Sequence, residues 1–129
     1  MDAKDFLKQV RRLDVLINNK QSEIDQLRSK AYYTNSNNLQ NLVAKIVDYE
    51  NGLNKDIDLL IDKKKEVASV IDKLKDATMI DMLYRRYFQF QIWEKIALEM
   101  GYTYQALHKI HARALKEIQN ILRGMNGKE

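Results

Sequence analysis

Two long stretches of this chain place apolar residues at alternating steps of four and three, with no proline anywhere to stop a helix. In the first stretch, about residues 2–30, the repeat is Phe6, Val10, Leu13, Ile17, Ile24, Leu27 and Ala31, and Lys20 takes the one missing place. In the second, about residues 39–75, it is Leu42, Ile46, Tyr49, Leu53, Ile57, Leu60, Lys64, Val67, Ile71 and Leu74. A 4-3 spacing puts these side chains on one seam of a helix. A 4-4 step around Leu53 departs from the heptad and relaxes supercoiling locally. Gly52 in the second stretch costs about 1 kcal/mol relative to alanine and allows a bend. Turns and strands draw on glycine and proline, and 129 residues here contain four and none. The expected fold class is therefore all-α.

Between the two stretches lies Tyr32-Tyr33-Thr34-Asn35-Ser36-Asn37-Asn38. Asn and Ser favour local side-chain to backbone bonds over helix interior, so this segment is expected as a loop with an exposed tyrosine pair. Two long helices joined by a short loop make an antiparallel helical hairpin, a coiled coil, over residues 1–76. Each seam is narrow, and a pair of hairpins would bury more than one, so this region is expected to dimerise. Lys63-Lys64-Lys65 is expected as a solvated face.

Residues 77–129 read differently. A first helix, about 77–88, is expected to bury Ile80, Leu83 and Tyr87. A second, about 92–100, is expected to bury Ile92 or Trp93 with Ile96, Ala97 and Met100. Gly101 permits the left-handed backbone of a helix end, and Thr103 is placed to cap a third helix running to about residue 122. A helix that stops at a glycine, with a capped helix opening almost at once, is the outline of a helix-turn-helix.

The third helix sorts into two faces at about 100° per residue. Thr103, Leu107, Ile110, Ala114, Ile118 and Ile121 fall in one arc of about 80°, the expected core stripe. Tyr104, Gln105, His108, Lys109 and Ala112 occupy the opposite face near its N-terminal end, where a recognition helix reads bases. Gln pairs with adenine N6 and N7, Lys donates to guanine, and Tyr or Ala packs on a thymine methyl. Arg113, Lys116 and Arg123 lie further along and suit phosphates, as do Arg85, Arg86 and the cap residue Thr103. Replacing His108 or Lys109 by alanine is expected to lose on the order of 1–3 kcal/mol at a preferred site.

Charge follows the same division. Residues 1–76 hold 14 Lys/Arg against 13 Asp/Glu, a net of +1. Residues 77–129 hold 8 against 5, a net of +3. The surplus falls where phosphate contacts need it. No other chemistry presents itself. There is no cysteine for a thiolate site, and no phosphate loop or nucleophile setting. His108 and His111 stand three apart without further metal ligands, and Trp93 is expected to pack in the scaffold helix. The chain is expected to be neither an enzyme nor a cofactor or metal protein. No apolar run approaches the roughly 18 residues of a membrane span. The N-terminus lacks a signal-peptide layout, so a cytoplasmic location is expected.

The segment from Met82 to Ile118 resembles region 4 of bacterial sigma factors. The matching residues are Leu83, Arg86-Tyr87-Phe88, Trp93-Glu94-Lys95-Ile96-Ala97, Tyr102-Thr103, Leu107, Ile110 and Ala112-Arg113-Ala114-Leu115-Lys116. In that family the positions of Tyr104, Gln105, His108 and Lys109 contact the −35 promoter element. Here they depart from the Arg-rich set, so the resemblance does not imply the same promoter.

Over its whole length the chain resembles small proteins from phages and prophages of Gram-positive bacteria, among them the ArpU and RinA types. These pair a helical hairpin with a region 4-like domain. Ala3-Lys4-Asp5-Phe6-Leu7, Ile46-Val47-Asp48-Tyr49-Glu50, Met100-Gly101-Tyr102-Thr103 and His111-Ala112-Arg113-Ala114-Leu115-Lys116 carry this likeness. It implies a regulator of late phage genes in the bacterial host cytoplasm. Double-stranded DNA would be its partner, RNA polymerase a further one, and a second copy the dimer mate. The competing expectation is an adaptor that contacts RNA polymerase or another phage protein without reading DNA. With no domain to hold a melted strand, the chain is not expected to open a promoter alone.

Overall fold

The computed structural model describes residues 1–126, apart from the side chains of Ser36 and Asn37. The fold is all-helical, as the missing prolines and the apolar spacing require. Five helices follow in order: α1 (Ala3–Tyr32), α2 (Ser36–Ile71), α3 (Ala77–Tyr87), α4 (Trp93–Met100) and α5 (Tyr104–Asn126). No strand occurs among the described residues. None of the helices is long and apolar enough to cross a membrane.

Local chemistry sets where the helices start and stop. Asp2 accepts from the Asp5 amide at 2.8 Å and opens α1. At its other end the Thr34 hydroxyl donates to the Lys30 carbonyl at 2.7 Å. The expected loop at 32–38 contracts to residues 33–35, because α2 already begins at Ser36. Residues that favour turns serve equally well in the first turn of a helix, where amides are unpaired. α2 ends at Ile71 rather than Lys75, leaving Asp76 extended (φ −93, ψ 112) to accept from the Thr78 and Met79 amides and cap α3.

The chain forms two compact units, one of Arg12–Asp62 and one of Met1–Arg11 with Lys63–Glu129. In the first, α1 and α2 run antiparallel. Lys20 pairs with Asp56, and Arg28 pairs with Glu50 at 3.2 Å. Ile24, Ile46 and Leu53 are buried along this contact, with Ile17, Leu27, Ala31 and Ile57 packed on them. Tyr49, expected on the seam, is exposed, as are Val43 and Val47. Tyr49 instead lines a cleft with Lys20 and Glu23 of α1, beside Gly52, which has no side chain to fill it.

In the second unit the start of α1 and the end of α2 share a core with the three short helices, so this unit extends beyond a division at residue 76. Leu7, Val10, Val67, Val70 and Ile71 are fully buried, as are Met82, Leu83, Ile96, Leu107 and Ile118. The Ala3 amide donates to Gln119 Oε1 on α5 at 2.8 Å. The Tyr84 hydroxyl donates to Asp72 Oδ1 at 2.9 Å, and burial together with that carboxylate pushes the phenol up to about 12.

α3 buries Met79, Met82, Leu83 and Tyr87, while Ile80, an expected core residue, is only half-buried. The reason is that α3 packs on both α4 and α5, which draws Met79 and Met82 inward. α4 buries Ile96 and Ala97, with Trp93 and Met100 half-buried. Ile92 lies just ahead of α4 as its extended N-cap and is 61% exposed. α5 buries Leu107, Ile110, Ala114 and Ile118, and His111 with them.

Candidate nucleic-acid interface

The turn between α4 and α5 is three residues long. Gly101 takes φ 75 and ψ 30, and the Tyr102 amide donates back to the Ala97 carbonyl at 2.9 Å. This left-handed closure ends α4 sharply. Thr103 Oγ1 accepts from the Ala106 amide at 3.1 Å and starts α5. Thr103 is exposed and serves as the cap rather than as part of the core stripe where the helical wheel put it.

The turn between α3 and α4 is less usual. Phe90 sits at φ 58, the one positive φ outside glycine among the described residues. A non-glycine residue there carries strain of about 1–2 kcal/mol. Three bonds hold it. The Gln89 amide donates to the Tyr84 carbonyl and the Gln91 amide to the Arg85 carbonyl, both at 3.0 Å. Arg86 donates to the Gln91 carbonyl at 3.0 Å, and Arg11 lies over the Phe90 ring at 5.6 Å.

Five rings and one guanidinium connect the three short helices. Arg86 lies over Trp93 at 4.7 Å. Trp93 meets His108 at 5.2 Å and His111 edge-on at 4.5 Å. His108 meets Tyr104 edge-on at 4.2 Å. His111 stacks on Tyr87, whose hydroxyl lies 2.8 Å from His111 Nε2. Burial pushes the Tyr87 phenol up to about 12. Burial, then the nearby charges of Lys4, His108 and Arg86, hold His111 down to about 4. The pair is therefore neutral near pH 7: Tyr87 donates, Nε2 accepts, and Nδ1 carries the imidazole proton. That tautomer is assigned from the pairing.

The eleven residues that sequence singles out for DNA fall into distinct settings, with Arg123 apart from the others, exposed in the last turn of α5. Tyr104, Gln105, Lys109 and Ala112 are exposed along the first turns of α5. His108 is half-buried between Trp93 and Tyr104, and its Nε2 is buried without a hydrogen-bond partner. Arg113 and Lys116 are exposed and, with Lys109, make no ion pair within 4 Å among the described residues. Arg85 is engaged, bonding Asp81 at 3.0 Å and pairing with Glu99 of α4. Arg86 is spent on Gln91 and Trp93, and Thr103 on Ala106.

Sequence reasoning passed over Tyr102 and Ala106, which line an open cleft with Lys109, Ile110, Ala112 and Arg113. The available signal was the spacing of Ala106, Lys109 and Arg113, which puts them on one flank of the helix. Among the described residues no group of His, Asp or Glu is arranged to hold a metal ion. Compared with known proteins, the chain matches no family model, and no curated protein or solved structure is detectably similar to it.

Proposed function

We propose that the chain is a sequence-specific double-stranded DNA-binding regulator of phage or prophage genes. In this reading α3, α4 and α5 form a sigma region 4-like helix-turn-helix, and α5 lies in the major groove. α1 and α2 form the hairpin through which two copies pair. The observation that carries the reading is the division of α5. Its rear is sealed in a core while Tyr104, Gln105, Lys109 and Ala112 stand in solvent just after the glycine turn. Hydrogen-bonding and small apolar side chains on the N-terminal face of a helix suit base edges. Unpaired Arg113 and Lys116 beyond them suit the backbone. His108 serves this reading as support for Tyr104 rather than as a free donor, because Trp93 and Tyr104 enclose its ring.

The test is selection of bound duplexes from a random pool by the purified full chain at near-physiological salt. An enriched motif is expected, with affinity falling steeply as salt rises. Gln105→Ala and Lys109→Ala should each lose on the order of 1–3 kcal/mol for that motif. Recovery of no motif would move the reading to an adaptor that contacts polymerase or another phage protein.

A further inference from the structure

We infer that Lys75, which precedes the helix-turn-helix, is a DNA-phosphate contact acting with Arg113 and Lys116 across a single cleft. This rests on the proposed DNA reading and extends it to a second anchoring point. Lys75, Arg113, Lys116 and Asn120 line one open concavity between the start of α3 and the outer flank of α5. Arg113 also lines the neighbouring cleft with Lys109. Four cations thus follow one flank from the reading end of α5 to the chain ahead of α3. All four are exposed, and none has an ion-pair partner among the described residues.

Two carboxylates share the first cleft, Asp76 and Glu117. Asp76 is committed, since its Oδ1 accepts from the Thr78 and Met79 amides. Counting both as full charges, the two clefts still hold four cations against two anions. Arg85, by contrast, is half-buried and neutralised by Asp81 and Glu99. Unpaired cations spaced along a concave flank match a chain of singly charged phosphodiesters. A lysine suits a phosphate as a point charge without fixed geometry.

Lys73 provides the control, being exposed two residues earlier and outside the cleft lining. Full-length Lys75→Gln and Lys73→Gln are compared with the parent against one duplex of random sequence over a salt series. They are also titrated with inorganic tripolyphosphate. Lys75→Gln is expected to weaken duplex binding several-fold and to lower the slope of log affinity against log salt by about 1. It should weaken tripolyphosphate binding in parallel, with Lys73→Gln matching the parent in both. If the parent binds tripolyphosphate through Lys75 but no duplex, the DNA reading fails and the anion site stands. If Lys75→Gln and Lys73→Gln behave alike, or the parent binds neither probe, the assignment of Lys75 is overturned.

Discussion

The Tyr87 hydroxyl and the His111 Nε2, 2.8 Å apart, form a buried polar pair joining α3 to α5. Both residues lie at 7% exposure or less, His111 at 7% and Tyr87 at 5%. Neither group has water to fall back on, so the bond is dear to lose from one side. Tyr87→Phe leaves Nε2 buried and unsatisfied and should cost about 1–3 kcal/mol, read from urea midpoints. The rings stay stacked in that variant, so the loss reports the hydroxyl.

The same pair gives the protein an acid-sensitive stability. His111 titrates near 4 when folded and near 6.5 when unfolded. Below 6.5 the unfolded chain binds a proton that the folded one refuses. The contribution of His111 is therefore complete above pH 6.5, is lost as pH falls towards 4, and changes no further below that. Between pH 7 and 5 the loss should be about 2 kcal/mol. His111→Leu should flatten the stability curve in that window. An unchanged slope would mean that the imidazole charges in place.

Two glycines should respond to alanine with opposite sign. A methyl group meets nothing within 4 Å at either Gly52 or Gly101. Gly52 is inside α2 and has helical backbone, so Gly52→Ala should stabilise by about 1 kcal/mol. Gly101 has φ 75, so Gly101→Ala should destabilise by about 1 kcal/mol through backbone strain alone. Thermal melts of the two variants side by side provide the comparison.

Residues 77–129 should not fold alone. The core they share with the rest of their unit includes Leu7, Val10, Val67, Val70, Ile71 and Leu74, all buried. Removing them exposes the inner faces of α3 and α5 to water, at about 25 cal/mol per Å² of apolar surface. A 77–129 fragment is expected to show weak helical circular dichroism and no cooperative melt. A sharp melt would show that three helices suffice.

Arg85 should matter for the fold more than for any nucleic acid. Its guanidinium bonds Asp81 on its own helix and Glu99 on α4. Arg85→Ala should lower stability by less than about 1 kcal/mol, as partly exposed pairs do. Duplex affinity should move far less than in Arg113→Ala, where the guanidinium has no protein partner to replace.

Much of this architecture is legible in the residues. Gly101 and Thr103 mark the α4–α5 turn because one tolerates a left-handed backbone and the other has an oxygen for an unpaired amide. The rear stripe of α5 follows from its spacing, Leu107 to Ile118. What spacing leaves open is partner choice. Val10 and Ile24 belong to one 4-3 series on α1, interrupted only at Lys20, yet they enter the cores of different units. A helix can change what it packs on without changing its period, so no rhythm in the sequence marks residue 11. Burial of His111 is equally silent, since a polar residue enters a core only when a partner awaits it, and Tyr87 is 24 positions away. Arg86 and Arg85 read alike as adjacent cations, and only the folded chain separates one stacked on Trp93 from one tied to Glu99.

The left-handed Phe90 has a consequence for recognition. Three bonds to backbone carbonyls and the Arg11 guanidinium over the ring hold the turn that sets how α4 leaves α3. A surface already in shape loses little conformational freedom on contact, and more of its contact energy then appears as affinity. If α5 enters a groove as proposed, the strain held at Phe90 in the free protein spares that complex an ordering step.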